Sequence, residues 1–206
     1  MSDAGGYWPQ GHVNVWKRAL KEDTLTVRAS NALYVYPDMP FDQQMADLKA
    51  LHSNDRKSLL RFNQAKIYVD GILEQRTGAM LEPYVKGPGI DHGFDSGFLY
   101  FEESTLDRYS QELAEAGFQL HYHVTGDRGA RLALDAIAKS DAGPGPHRLP
   151  HLYSMDKDDL PRFAELNVVA DLQLAPSSLD SEYNASIREF IGDRAGYMMP
   201  AASLEN

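Results

Sequence analysis

One stretch that leaves a strand and enters a helix within three residues constrains this chain most. Residues 118–131 read FQLHYHVTGDRGAR. Phe118, Leu120, Tyr122 and Val124 alternate with Gln119, His121 and His123, and residues that favour strands dominate. A period of two sets His121 and His123 on one face and Tyr122 on the other. Thr125-Gly126-Asp127 breaks the pattern, and Asp127 is placed to cap a helix carrying Ala130, Leu134 and Ile137 at i, i+4 and i+7. Two imidazoles therefore project from the carboxyl end of a strand that feeds a helix, where α/β proteins place their chemistry. Taken alone, the plainer reading is one packed and one solvated histidine.

The flanking segments repeat the alternation. Val13, Trp16 and Leu20 predict a helix over residues 12–21, and TLTVRASNALYVY (24–36) reads as a strand stopped by Pro37. Phe41, Met45 and Leu48 mark a helix over 40–52, and AKIYVD (65–70) is a second strand, ended by Gly71. Residues 71–103 lack periodicity but hold several glycines and prolines, as lids and binding loops do. Ser104 is placed to cap a helix burying Leu106, Tyr109 and Leu113, which Gly117 closes. RLPHL (148–152) is a short strand ending in His151. A helix follows with Pro161 in its first turn and Asn167 at its left-handed end, then a strand over 168–172 and a helix around 181–192. The first ten residues show no period. About five strands alternate with helices in one domain over 1–206, which reads as parallel α/β, open or closed into a barrel.

Composition narrows the partners. With 30 acidic against 20 basic residues and a net charge of −10, a nucleic-acid backbone is an unfavourable partner. No run approaches the ~18 apolar residues of a membrane span, and the N-terminus lacks a signal-peptide pattern. Cysteine is absent, so disulfides and thiol catalysis are excluded. A cytoplasmic protein is expected.

Lys66 lies among apolar strand residues, where an ammonium is costly unless paired or neutralised. An edge-strand lysine reaching solvent is the plainer alternative. His123 and His151 each sit at a strand end before a polar turn, and with Lys66 they converge only if the sheet curves or closes. Such convergence suits a metal site. Asp91, His92 and Asp95 read as a solvated loop. Ser177-Ser178 lacks the G-x-S-x-G context of a serine-hydrolase elbow, and no phosphate-binding glycine motif is present.

Three blocks, AKIYVDGILEQRTGAMLEPY, LHYHVTGDRGARLALDAI and PHRLPHLYSMDKDDLPRFAELNVVADLQ, together resemble amidohydrolase family 3, and within it the branch of N-substituted formamide deformylases. SDAGG is similar to the end of that family's second or third barrel strand. The resemblance implies a partial (β/α)8 TIM barrel, about five of eight strands, with a divalent metal, usually zinc, and hydrolysis of a small non-peptide amide or related C–N bond. It assigns Lys66, His123 and His151 as metal ligands, from the fourth, fifth and sixth strands, with Lys66 carboxylated in many relatives. Asp70, Arg76, His121 and Asp127 fall on the substrate side or behind the ligands.

The family's first-strand His-x-His and eighth-strand aspartate have no counterpart in these residues, and Pro150 stands where a glutamate is usual. No catalytic base is assigned. The chain is expected to be an interior piece with weak metal binding, little activity, Lys66 as an ammonium paired with Asp70, and a tendency to associate through unpaired strand edges. The competing reading is a non-catalytic α/β module that binds a ligand or partner through residues 71–103.

Overall fold

The computed structural model describes residues 1–85, 95–140, 143, 145–172 and 181–204. Asp91, His92, Ser177 and Ser178 lie outside them. Six strands form one sheet: β1 (Ser2–Gly6), β2 (Ala29–Tyr34), β3 (Leu60–Tyr68), β4 (Gln119–His123), β5 (His147–Pro150) and β6 (Val168–Asp171). They lie in chain order, and every pairing is parallel. The helices between them are α1 (His12–Lys21), α2 (Phe41–Leu51), α3 (Glu103–Glu115), α4 (Asp127–Lys139) and α5 (Pro161–Glu165), with α6 (Ser181–Ile191) and α7 (Ala201–Leu204) after the sheet. Parallel neighbours joined in sequence by right-handed crossovers put the helices on one face, which is the construction of a (β/α) barrel.

Six strands stand where the periodicity predicts about five. The additional one is β1, SDAGG, which has no β-branched or aromatic residue. Its ladder with β2 is reinforced by side chains, as Asn31 Nδ2 and Trp16 Nε1 both donate to Asp3 Oδ2, at 2.8 and 2.9 Å. Gly6 is required there, because a Cβ would stand 2.5 Å from the Ala32 carbonyl oxygen. Counted back from β3 as the resemblance places it, β1 is the second barrel strand.

The helix-facing side of the sheet is apolar. Leu33, Ile67, Leu120 and Tyr122 are fully buried and join Leu106, Leu113 and Leu134 from the helices in one core. The opposite side carries Gln64, Lys66 and His121, all buried. A polar inner face enclosed by its own curvature is what a barrel interior provides, and an open sheet covered by helices on both faces would bury apolar side chains there instead. Among the described residues no helix is long and apolar enough to cross a membrane.

Two helix starts differ from the sequence expectation. Glu102 is the N-cap of α3, which places Ser104 inside the first turn. Gly126 is the N-cap of α4, and Asp127 is its first residue, accepting the N–H groups of Leu81 at 2.7 Å and Arg128 at 2.8 Å. Gly117 (φ +90°) and Asn167 (φ +52°) do take the left-handed positions after their helices. Part of the 71–103 segment is anchored: Leu73, Met80 and Tyr84 pack with Ile187, Phe190 and Ile191 of α6 in a second apolar cluster.

β3 leaves the ladder at Tyr68, and Asp70 turns toward the start of α4. Fully buried, it accepts N–H from Ala79 (2.9 Å), Thr125 (2.9 Å) and Gly126 (2.8 Å). Gly126 must stay glycine, since a Cβ would lie 2.0 Å from the Ala79 carbonyl oxygen. Asp70 thus ties the loop after β3 to the turn after β4. Asp70→Asn would turn an amide NH2 against these donors. Its urea midpoint should correspond to a loss of about 1–3 kcal/mol, and an unchanged midpoint would mean the buckle contributes nothing.

Candidate metal centre

The register of the sheet assembles the site. Lys66 on β3 lies opposite His121 on β4, and Tyr68 lies opposite His123. His151 follows β5 and bridges to Val124, one residue beyond His123, with a left-handed φ of +79°. The two imidazoles meet edge to face, with ring centroids 4.5 Å apart and planes at 62°. Tyr68 stacks on the other side of His123, at 4.3 Å and 23°.

His123 is held in one tautomer. Its Nε2 is 2.8 Å from the Gly71 carbonyl oxygen, which can only accept, so Nε2 carries the hydrogen. Nδ1 is left as a lone pair, buried and without a hydrogen-bond partner. An imidazole tied through one nitrogen to a carbonyl and bare at the other is the arrangement of a metal-ligating histidine. Burial, reinforced by the charges of His151 and Lys66, outweighs the Gly71 bond and lowers its pKa to about 3, so the ring is neutral at pH 7. A buried imidazole nitrogen without a partner is the kind of donor that a divalent cation would use.

Lys66 is 3% exposed, and burial brings its ammonium down to about 7, against the opposing pull of Asp171. Its Nζ lies 5.2 Å from the centroid of the Tyr68 ring. His121 Nδ1 lies 3.2 Å from Gln64 Oε1, and burial together with the nearby Lys66 charge holds this imidazole far below the usual histidine range. Lys66, Tyr68, His121, His151 and Asp171 line a cavity of about 380 Å³ inside the curve of the sheet, walled on the far side by the end of β1 and Tyr7.

The other residues singled out from sequence lie elsewhere. Asp70 forms no ion pair with Lys66, correcting that expectation, because its carboxylate is taken up by the backbone around α4. The acid whose charge reaches Lys66 is Asp171, which also pairs with Arg148 at 3.1 Å. Arg76 sits over Phe190, with its guanidinium carbon 5.3 Å from the ring centroid. Asp127 lines a separate cavity of about 500 Å³ with Arg131, Asp156 and Arg194. Among the described residues no group of three or more His, Asp or Glu side chains is arranged to hold a metal ion by itself. The sequence reading passed over Asp171, although a carboxylate ending the strand VVAD was a usable signal. It also passed over Tyr68 and Gln64, which are recognisable only once their neighbours are known.

The profile of amidohydrolase family 3 matches residues 1–201. YtcJ of Bacillus subtilis (strain 168), named as an inferred amidohydrolase, is 31% identical over 115 residues, which are 55% of this chain and 21% of that protein. The exoenzymes regulatory protein AepA of Pectobacterium carotovorum subsp. carotovorum is 26% identical over 138 residues, 66% of this chain and 28% of that protein. Crystal structures of two uncharacterized metal-dependent hydrolases share the fold. The Pyrococcus horikoshii OT3 protein has a TM-score of 0.76 at 22% identity, covering 94% of this chain and 37% of that one. For the Pyrococcus furiosus protein the values are 0.72, 23%, 94% and 38%. The chain thus spans about a fifth to a quarter of the curated relatives' length. With the family's profile matched over residues 1–201, nearly the whole sequence, this chain belongs to the amidohydrolase family.

Proposed function

We propose that the chain is the metal-holding part of a hydrolase acting on a small non-peptide amide or related C–N bond, as the formamide deformylase branch does. Lys66, His123 and His151 would hold a divalent metal, zinc by preference for two imidazoles and a nitrogen or carboxylate ligand. The observation that carries this reading is the bare, buried Nδ1 of His123 beside the His151 ring. When bound, such a metal polarises a carbonyl and makes water acidic near neutrality.

The chain's own residues prepare that chemistry. The Gly71 carbonyl orients His123, and Tyr68 stacked on it prevents the ring from turning away. Burial leaves about half of Lys66 uncharged at pH 7, the state in which its amine can ligate or be carboxylated. Asp127 and Asp70 act structurally, holding the loop after β3 against α4. Acting as one domain in the cytoplasm, without nucleic acid or membrane, the 206 residues alone would turn over substrate slowly, since among the described residues the carboxylate that lines the cavity, Asp171, is paired with Arg148. Among the described residues β1 and β6 are the outer strands of the sheet, which would favour self-association.

The test is metal content per chain after expression with added zinc, followed by hydrolysis of formamides, linear amides and lactams. Zinc near one per chain supports the reading. Its absence under replete conditions favours the non-catalytic binding module.

A further inference from the structure

The carboxyl ends of β1, β2 and β3 carry a run of aromatic rings that the metal reading does not use. Tyr34 is its centre, with ring centroids 5.2 Å from Tyr7, 4.6 Å from Tyr36 and 5.5 Å from Tyr68. Tyr68 continues the run to Tyr100 at 6.3 Å on one side and to His123 at 4.3 Å on the other. These are the offset and edge-to-face spacings at which aromatic rings attract one another.

Packing of the hydrophobic core does not account for the run. The tyrosines that serve the core, Tyr109 and Tyr122, are at most 2% exposed, whereas Tyr100 is 43% exposed and Tyr7, Tyr34, Tyr36 and Tyr68 keep part of their surface open. Tyr7 and Tyr68 line the same 380 Å³ cavity as Lys66 and His151. The run therefore reaches the cavity from the imidazole pair through Tyr68 and Tyr7, and Tyr34 touches both rings from outside the lining. Pockets of that size accept a small organic molecule. A ring entering between Tyr7 and Tyr68 would meet aromatic surface held in place by Tyr34.

The geometry points to the Tyr7–Tyr68 wall, backed by Tyr34, as a substrate subsite that selects an aromatic or similarly flat unsaturated substituent next to the amide. This rests on the cavity being the substrate site, as proposed above. Flatness, and not bulk, is the property selected, because a stacked ring gains over a saturated ring of the same size only through its π face.

The experiment compares benzamide, cyclohexanecarboxamide and acetamide as probes, titrated into the zinc-treated chain and followed by ligand-detected NMR. Benzamide is expected to bind about tenfold more tightly than cyclohexanecarboxamide, and acetamide to bind weakest. In Tyr7→Leu, at a partly exposed site lining the cavity, the advantage of benzamide should shrink to within about twofold, and Tyr68→Leu supplies the same test if the first variant does not fold. Equal binding of the two ring amides, an advantage that survives both variants, or no benzamide binding at its solubility limit would each overturn the proposal. Zinc content of the same samples reports separately on the metal reading: zinc without aromatic preference removes the subsite alone, and aromatic preference without zinc removes the metal centre alone.

Discussion

Replacing His123 or His151 with alanine should lower the zinc affinity of this chain at least about 100-fold, since groups that merely support a ligand already cost 10–100-fold. Zinc–nitrogen bonds of about 2.0–2.1 Å require ligating nitrogens within about 4 Å of each other. Imidazoles on opposite faces of the sheet could not meet that requirement, and these two are in contact, 4.5 Å between centroids. The pH dependence should follow Lys66 and not His123. His123, with a pKa of about 3, stays neutral through the acid range, whereas Lys66 gains its proton below about 7. Affinity should therefore fall as pH drops through about 7. Lys66→Met should bind more weakly and lose that step. Isothermal titration with zinc between pH 6 and 8 measures both, and a His123→Ala chain that binds as tightly as the wild type would remove the site.

The metal-free chain should lose stability as it is acidified from about pH 6.5 to 4. His121, His123 and His147 all have pKa values lowered by burial, so over this window the unfolded chain takes up protons that the fold does not. Stability must then fall with pH. Asp70 and Asp127 act in the opposite sense. Burial raises both, Asp70 to about 7, so the fold holds protons that free carboxylates release above 3.8. Across this window His121 and His123 stay neutral while Asp70 stays largely protonated, two groups against one, which leaves a net of about one proton, or roughly 1–2 kcal/mol per pH unit. Two units would remove about 3 kcal/mol from a typical domain stability of about 5–15. Urea midpoints measured in chelator across pH 4.5–6.5 test this. His123→Phe, which keeps a ring against Tyr68, should flatten the slope. A midpoint constant or rising toward low pH would contradict the assignment of the buried imidazoles.

The alternation of strand and helix was legible wherever local pattern and tertiary role agree. Residues 119–123 show a period of two because one face meets the helices and the other the interior, and His12–Lys21 and Phe41–Leu51 follow the helical spacing of their apolar residues. β1 was illegible as a strand because SDAGG has no strand-forming side chains. It is a strand because β2, Trp16 and Asn31 supply its partners. Likewise the histidines are visible in sequence as strand-end residues, but the bare Nδ1 of His123 depends on a carbonyl 52 positions away. Asp70 shows the opposite failure. Its alternation with Lys66 puts both on one face, yet β3 ends at Tyr68 and the carboxylate turns to three amide donors near α4. Residue types and spacings specify the elements and the chemistry available at their ends. Which of those groups meet is set by the parallel register and the close approach of loop to turn, contacts between residues far apart in the chain that no local period encodes.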